Sequence, residues 1–374
     1  DNDTMEKINS DNAFTLSTGD MVFICDNVKK RVPGSSMYTV YTDDDGNTTG
    51  EDFKGENLIT GTIKGVAENR TPTVYFLSGH GEKSLDSYTK FTTNLTNYNY
   101  AAKELNLSET DSVPDDAALV LVAAPSKDIT DAEAEKLNAY LDNGGNISLL
   151  MSPNGGAFAY TNLEAIMKDY GFYMDYDRVS ETNSNYHISG DKYTIQCELN
   201  ELDDDSEATD LTSSLLNQGL YTFMPESRSF RYNDEGGKYT IAPLITTYDS
   251  AEGEPYGGIS DDPEKQSGQM LLAADSTSIA RNESKMVVFG NAEFIDDEHV
   301  SDDTVIVPVY LFLSTISWMY DSDIDMEIST KSTTNDYISL QDAGFAKGLM
   351  VVLTVIPVAI MAAGIGIWIK RRNS

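Results

Sequence analysis

The feature that most constrains this chain is an uncharged apolar stretch near its C-terminus, residues 348–369 (GLMVVLTVIPVAIMAAGIGIWI). At about 1.5 Å of rise per residue, a helix of this length reaches roughly 33 Å, enough to cross a hydrocarbon core of about 30 Å. Trp368 lies where an interfacial aromatic side chain belongs, and the basic run Lys370–Arg372 follows at once. The pattern predicts one transmembrane helix. The positive-inside rule then places the tail 370–374 in the cytoplasm and the preceding chain outside.

The acidic charge of the chain lies on the side that this orientation places outside. All 61 Asp and Glu residues precede Gly348, together with 23 of the 26 Lys and Arg residues. The outer part therefore carries a formal net charge of −38. Such a surface repels nucleic acid and anionic lipid, so we expect neither as a partner. The only lipid contact that we expect is through residues 348–369.

Export of the outer part requires a signal, and none is visible at the start of the chain, which opens at Asp1. We therefore expect a further N-terminal span or signal in the full protein. The two cysteines, Cys25 and Cys197, are compatible with one disulfide bond or with two free thiols, and their spacing fits neither a redox nor a zinc motif.

Short apolar runs alternate with helical stretches from Thr71 onwards. The run Thr73–Leu77 (TVYFL) is typical of a buried strand, and Thr130 with Glu133 predicts a capping box at the start of a helix. Strands that are apolar throughout indicate a parallel sheet covered on both faces. We predict strands over 118–123, 147–151, 193–197, 241–248, 270–274 and 286–290, and helices over 85–95, 130–142, 161–170 and 305–320.

The segments outside this alternating pattern differ in composition. The first 70 residues resemble a small β-rich lead-in, with strands over 21–25 and 37–42. The predicted organisation is a β-rich segment (1–70), an α/β domain (71–320) with an irregular insertion (about 180–265), a polar tether (321–347), a transmembrane helix (348–369) and a basic tail (370–374).

The sequence lacks several common catalytic and nucleotide-binding motifs. It contains no G-x-S-x-G elbow, no Walker A loop and no complete G-x-G-x-x-G fingerprint after a strand. The three histidines, His80, His187 and His299, do not have the spacing of a zinc site. We therefore predict no cofactor, no metal and no enzymatic activity.

Three loops are candidates for ligand binding. Gly79, His80, Gly81 and Glu82 follow the first buried strand, and ligands of open α/β sheets gather at the carboxyl ends of strands. The alternative is a tight strand-to-helix turn in which Glu82 caps a helix N-terminus. The other two candidates are Asn291 with Glu293, directly after the strand over 286–290, and the loop that carries Arg228.

Three blocks of sequence resemble the auxiliary component of ABC-type transport systems of the gliding-motility (GldG-like) kind. They are residues 55–82, residues 119–153 (LVLVAAPSKDITDAEAEKLNAYLDNGGNISLLMSP) and residues 286–297 with the helix that follows. The resemblance implies a Rossmann-like domain related to class I glutamine amidotransferase-like folds. Those enzymes carry a nucleophilic cysteine at a strand-to-helix elbow, and the corresponding stretch here, residues 123–126, has none.

The resemblance implies a non-enzymatic, membrane-anchored accessory subunit. The partners that it implies are an ABC permease and a separate ATPase subunit. The outer domain would contact the permease, the substrate or envelope material. Two alternatives remain at this point. One is an anchored amidotransferase-like hydrolase that uses His80 and Glu82, and the other is a surface module that binds a ligand such as a glycan.

Overall fold

A computed structural model describes residues 16–42, 48–53, 55–202, 208–216, 221–233, 237–256, 266–300, 303–320, 331–332 and 372. The chain divides into two compact units, residues 1–39 with 53–331 and residues 40–52 with 332–374. The predicted transmembrane helix (348–369) lies outside the described residues, as do nearly all of the predicted tether and tail. No helix among the described residues is long and apolar enough to cross a bilayer.

The strands carry the labels β1 to β20 in chain order. They are β1 (Met21–Cys25), β2 (Val28–Val32), β3 (Tyr38–Thr42), β4 (Thr48–Phe53), β5 (Thr73–Leu77), β6 (Ala101–Leu105), β7 (Ala117–Ala123), β8 (Ile147–Leu150), β9 (Phe172–Met174), β10 (Asp177–Glu181), β11 (His187–Ile188), β12 (Asp191–Leu199), β13 (Thr222–Met224), β14 (Phe230–Tyr232), β15 (Tyr239–Thr247), β16 (Ala251–Pro255), β17 (Gln266–Ser267), β18 (Leu271–Ser278), β19 (Ser284–Phe289) and β20 (Lys331–Ser332).

The helices carry the labels α1 to α6. They are α1 (Gly55–Ala67), α2 (Thr89–Asn97), α3 (Asp131–Asp142), α4 (Thr161–Lys168), α5 (Ser213–Leu216) and α6 (Ile306–Met319). Short 3₁₀ turns complete the set, among them Leu85–Tyr88 before α2 and Glu293–Ile295 after β19.

The first unit is built on a mixed sheet of 12 strands. Its parallel half has the order β6-β5-β7-β8-β19. From β19 the sheet continues through β18, β15, β12 and β11, and each of these neighbours is antiparallel to the last. The fold is therefore α/β, but our expectation of a parallel sheet is correct for only one half of it.

Both faces of the parallel half are covered, as the continuous apolar strands indicate. Alternate side chains of β5 point to opposite faces, so Val74 and Phe76 belong to one core cluster and Tyr75 and Leu77 to the other. The first cluster includes residues of α2 and α6, and the second includes residues of α3 and α4. Phe312 of α6 shows how tightly the first cluster packs, because its ring centroid lies within 5.9 Å of three other phenylalanine rings.

Helix α6 corresponds to the helix predicted over 305–320, and it is a core helix. It has 14 residues, which gives a length of roughly 21 Å. Eleven of these residues are buried.

Two segments differ from the sequence-based expectation. The segment 1–70, predicted to be β-rich, contains helix α1 in addition to strands. The segment 180–265 was predicted to be an irregular insertion with strands over 193–197 and 241–248, and the structure places these two strands, β12 and β15, in the main sheet. The residues of β12 alternate between buried and more exposed positions, so this strand lacks the continuous apolar run that identifies a strand covered on both faces.

Smaller sheets complete the described structure. In the first unit, β1 pairs with β2, and β10, β16 and β17 form a second small sheet. A further three-stranded sheet has the order β20-β4-β3. Cys25 and Cys197 are both free thiols, and burial raises the pKa of the Cys197 thiol.

Candidate functional site

The turn after β5 depends on two glycines. Gly79 and Gly81 have φ angles of +108° and +87°, in the region that glycine adopts without steric cost. A Cβ atom at Gly81 would lie only 1.8 Å from Ser126 Oγ. The turn therefore packs directly against the loop after β7, and this packing brings His80 to the start of α3.

The His80 ring lies between two carboxylates. Only 3% of the residue is exposed. Its Nδ1 atom lies 3.2 Å from Glu82 Oε1, and its Nε2 atom lies 3.0 Å from Glu133 Oε2. A carboxylate only accepts hydrogen bonds, so both ring nitrogens can donate only when the imidazole is protonated. The hydrogen bond to Glu82 raises the pKa of His80; burial opposes this effect and Glu133 adds to it.

Glu133 joins this ion pair to the start of helix α3. Thr130 and Glu133 form the predicted capping box, in which Glu133 Oε2 accepts hydrogen bonds from Thr130 N (2.9 Å) and Thr130 Oγ1 (2.7 Å). Burial raises the pKa of the Glu133 carboxyl, but the hydrogen bonds from Thr130 and His80 outweigh it and lower that pKa to about 2. The same carboxylate therefore caps α3 and accepts a hydrogen bond from the protonated His80 ring.

This geometry leaves His80 without the features of a general base. A base needs a free lone pair, and both ring nitrogens face carboxylates. Ser126 Oγ donates to the His80 backbone carbonyl (3.2 Å) rather than to its ring. At the elbow after β7, Ala124 has a left-handed φ of +46° and presents only a methyl group. The arrangement at this end of the sheet is that of a structural ion pair.

Asn291 fixes a second turn, directly after β19. The side chain is 1% exposed, its Nδ2 donates to Glu226 O (2.6 Å), and its Oδ1 accepts from Glu293 N (2.5 Å). A Cβ atom at Gly290 would lie 2.2 Å from Arg228 O, so the loop that carries Arg228 crosses the end of β19 in close contact. Asn291 therefore joins this loop to the turn, and both polar atoms of its side chain take part in these contacts.

Arg228 is completely buried beside these residues. Its Nη2 atom donates to Ser152 O (2.8 Å), and its guanidinium carbon lies 5.5 Å from the ring centroids of both Tyr160 and Tyr176. Nε and Nη1 have no hydrogen-bond partner among the residues that the structure describes. Burial lowers the pKa of Arg228. The contacts with the two rings are cation–π interactions, which stabilise a desolvated guanidinium.

Glu293 lines a cavity of about 290 Å³ next to this loop. Arg178 forms another wall, where its guanidinium lies 3.3 Å from the Tyr193 ring centroid and its Nε 2.8 Å from Glu226 Oε1. His299 also lines the cavity, and its Nδ1 lies 2.7 Å from Asp296 Oδ1.

One group of side chains near this cavity has the composition of a metal site. Asp296, Glu298 and His299 place ligand atoms within 4.8 Å of one another. Lys83 Nζ already lies 2.5 Å from Asp296 Oδ2, and His299 pairs with the other carboxylate oxygen. These contacts satisfy Asp296 within the protein, so the group gives no argument for a metal.

The predicted site residues form two clusters rather than one. His80 and Glu82 lie at the end of β5, whereas Arg228, Asn291 and Glu293 lie at the end of β19. Two strands separate β5 from β19, which corresponds to roughly 14 Å at a strand spacing of about 4.8 Å. Tyr160 reaches between the clusters, because its hydroxyl donates to Pro125 O (2.6 Å) after β7 and its ring faces Arg228.

Sequence reasoning missed the residues that complete these clusters. Glu133 was recognised as part of a capping box, but nothing in the sequence shows that the same carboxylate reaches His80, 53 residues earlier. Tyr160 and Ser152 lie in loops without a motif, so no sequence signal identifies their contacts with Arg228.

Comparison with known proteins places the chain in a transport family. A family model described as an ABC-type uncharacterized transport system matches residues 71–308. A search of curated proteins gives no match.

Among solved structures, the mmIFT52 N-terminal domain is similar, with a TM-score of 0.50 and 17% identity over 67% of this chain and 99% of that one. At this identity the similarity concerns the fold alone. A Thermoplasma acidophilum protein described as a component of GMP synthase covers 67% of this chain and 96% of its own, with 8% identity and a TM-score of 0.33. A TM-score this low carries no argument.

Proposed function

Because the chain belongs to the family of auxiliary components of ABC-type uncharacterized transport systems, we propose that it is a non-enzymatic, membrane-anchored accessory subunit of an ABC transporter. The observation that carries the proposal is the family match over residues 71–308, which spans most of the main sheet. Three sequence blocks favour the gliding-motility (GldG-like) kind within this family. The parallel half of the sheet favours the Rossmann-like, amidotransferase-like class of α/β fold.

The geometry at His80 supports the non-enzymatic part of the proposal. The amidotransferase-like alternative would need His80 to accept a proton, yet both ring nitrogens face carboxylates. It would also need a nucleophile, and the elbow after β7 carries Ala124. These residues favour a protein that acts by binding, with energy supplied by a separate ATPase subunit.

The apolar segment 348–369 supports membrane anchoring. We propose that it crosses the membrane beside the permease, with the basic tail in the cytoplasm and the sheet domain outside. Small residues allow one helix to approach another closely, and this segment contains Ala359, Ala362, Ala363, Gly364 and Gly366. The outer domain would then contact the permease, the transported substrate or envelope material. We propose that this contact is made at the cavity lined by Glu293, next to the cluster at the end of β19.

Purification of the intact chain from its own membranes in mild detergent tests this proposal. We expect an ABC permease and its ATPase to accompany the chain in stoichiometric amounts. The variant Gly364→Leu should lower their recovery, because a bulky side chain prevents close helix packing. Val351→Leu, an apolar substitution in the same segment, is the control and should retain both partners.

Recovery of the chain alone, under conditions that preserve other membrane complexes, would contradict the accessory role. Purification of His80→Asn separates this role from the hydrolase alternative. An accessory subunit keeps its partners when this ion pair is removed, whereas a hydrolase loses an activity that depends on His80.

A further inference from the structure

A cavity of about 490 Å³ lies between β2, α1 and the end of α2, away from both clusters described above. Its volume is within the range of small-molecule sites. None of its 13 lining residues is acidic, although the chain contains 61 Asp and Glu residues. Three other cavities of the described residues each have at least two acidic residues in their walls.

The wall formed by β2 is basic. Three consecutive cations, Lys29, Lys30 and Arg31, line the cavity. Arg31 pairs with Asp20 through its Nε atom (2.7 Å), so its charge is balanced within the protein. The charge of Lys30 has no carboxylate partner among the described residues, so Lys30 determines the charge of the ligand that the cavity fits.

Lys30 is held in place by neutral groups only. Its ammonium donates to Asn99 Oδ1 and to Thr71 Oγ1 (3.3 Å). An ammonium has three N–H donors, so one donor and the whole positive charge remain without a carboxylate partner among the described residues. Burial lowers the pKa of Lys30. A cation that is partly removed from water in this way is stabilised by an anion bound beside it.

The backbone of α1 makes room for this lysine. A Cβ atom at Gly65 would lie 2.4 Å from Lys30 Nζ and 2.2 Å from Asn99 Oδ1. Any other residue at this position would therefore displace the ammonium or its acceptor. The absence of a side chain at Gly65 therefore leaves the space that the Lys30 ammonium occupies against α1.

The walls formed by α1 and α2 present hydroxyl oxygens that can accept hydrogen bonds. Thr62, Thr93 and Thr96 line the cavity, and each already donates its hydroxyl proton to a backbone carbonyl of its own helix, at 2.6, 2.7 and 2.9 Å. A hydroxyl has one proton and two lone pairs, so these oxygens are left as acceptors. A ligand that satisfies them must bring its own O–H or N–H donors.

We propose that this cavity binds a small hydroxyl-rich molecule that carries a phosphate or carboxylate group. The anionic group pairs with Lys30 and Lys29, and the hydroxyls of the ligand donate to the threonine oxygens. This site is independent of the accessory role proposed above, because His80, Arg228 and residues 348–369 take no part in it.

Calorimetric titration of the purified full chain tests the proposal, with glucose 6-phosphate, glucuronate, inorganic phosphate and glucose as probes. We expect saturable binding of the first two, weaker binding of inorganic phosphate, and none of glucose at the same concentration. Binding should weaken as salt is added, since the ion pair is screened.

Four variants locate the site. Lys30→Gln should weaken binding of glucose 6-phosphate by about tenfold or more, because a charge-assisted contact is lost. Lys30→Arg should retain most of the affinity. Thr93→Trp fills the cavity from an exposed helical position without changing charge, and it should abolish binding even if Lys30→Gln fails to fold. Lys127→Gln removes an exposed lysine that does not line the cavity and should bind like the wild type.

Three results would overturn the proposal. Equal affinity for glucose and glucose 6-phosphate would show that Lys30 does not bind the anionic group. Affinity that Thr93→Trp leaves unchanged would show that the cavity is not the site. Equal affinity for inorganic phosphate and glucose 6-phosphate would show that the threonine hydroxyls contact no part of the ligand. None of these results would bear on the recovery of permease and ATPase, so the two proposals fail separately.

Discussion

At the scale of single residues, the His80 ion pair makes stability depend on pH. The pKa of His80 in the folded chain is raised above its ordinary value of about 6.5, first by Glu82 and then by Glu133. The folded state therefore binds this proton more tightly than the unfolded state does. The stabilisation is fully present below about pH 6.5 and is lost as pH rises through the folded-state pKa.

We predict that His80→Asn lowers the free energy of unfolding by about 1.5–3 kcal/mol at pH 6, the usual contribution of hydrogen bonds to charged groups. The difference from the wild type should shrink as pH rises towards 9. Urea unfolding across this pH range measures it. The matched control is His187→Asn, which removes a ring whose Nδ1 lies 2.8 Å from the backbone carbonyl oxygen of Ile188, and it should change the free energy of unfolding at pH 6 much less. A His80→Asn difference that stays constant with pH would mean that the imidazole is not protonated in the folded chain.

Some features of the candidate site could be predicted from the sequence, and others could not. The glycine-rich turn could be located because it follows a continuous apolar strand, and the role of Glu133 as a cap could be predicted from its spacing to Thr130. The contact between Glu133 and His80 could not be predicted, because it depends on the register of two parallel strands. The burial of Arg228 could not be predicted either, because its loop carries no apolar pattern.

At the scale of elements, the prediction succeeded where both faces of a strand are buried. β5 and β7 were found from their apolar runs, and all residues of β5 are buried. It failed where glycines interrupt a helix, as in α1, which lies in a segment predicted to be β-rich. Gly61 and Gly65 lower the helical propensity of α1, and tertiary packing outweighs that loss. The reason is close approach, since a Cβ atom at Gly61 would lie 2.2 Å from Asn97 O at the end of α2.

The packing of α1 against α2 reverses the usual effect of a glycine substitution. Alanine in place of glycine in a helix ordinarily stabilises by about 0.5–1 kcal/mol. We predict that Gly61→Ala instead destabilises the chain by about 1–3 kcal/mol, the usual cost of overpacking. Chemical denaturation measures the change. Thr60→Ala, at an exposed position of the same helix, is the control and should leave stability unchanged or slightly raised. Stabilisation by Gly61→Ala would show that the two helices do not approach this closely.

At the scale of the whole molecule, charge and hydrophobicity divide the chain in the same place. The 61 acidic residues end before Gly348, and the apolar segment and its basic tail follow. The positive-inside rule depends on the Lys and Arg residues close to the ends of a span, and Lys370, Arg371 and Arg372 follow the apolar segment directly. The rule therefore favours a cytoplasmic tail and places the acidic part on the other side of the membrane.

This orientation predicts how the chain partitions when it is exported behind a cleavable signal. Residues 1–374 should stay with the membrane after alkaline carbonate extraction, and residues 1–347 should be released. Ile360→Arg should release a large share of the full chain, because an arginine at the centre of a span costs about 2.5–3.5 kcal/mol. Ile360→Leu is the control and should remain in the membrane. Retention of residues 1–347 would show that another part of the exported chain binds the membrane, and the acidic surface makes that unexpected. A chain whose Ile360→Arg variant is retained as firmly as the wild type would rule out residues 348–369 as the anchor.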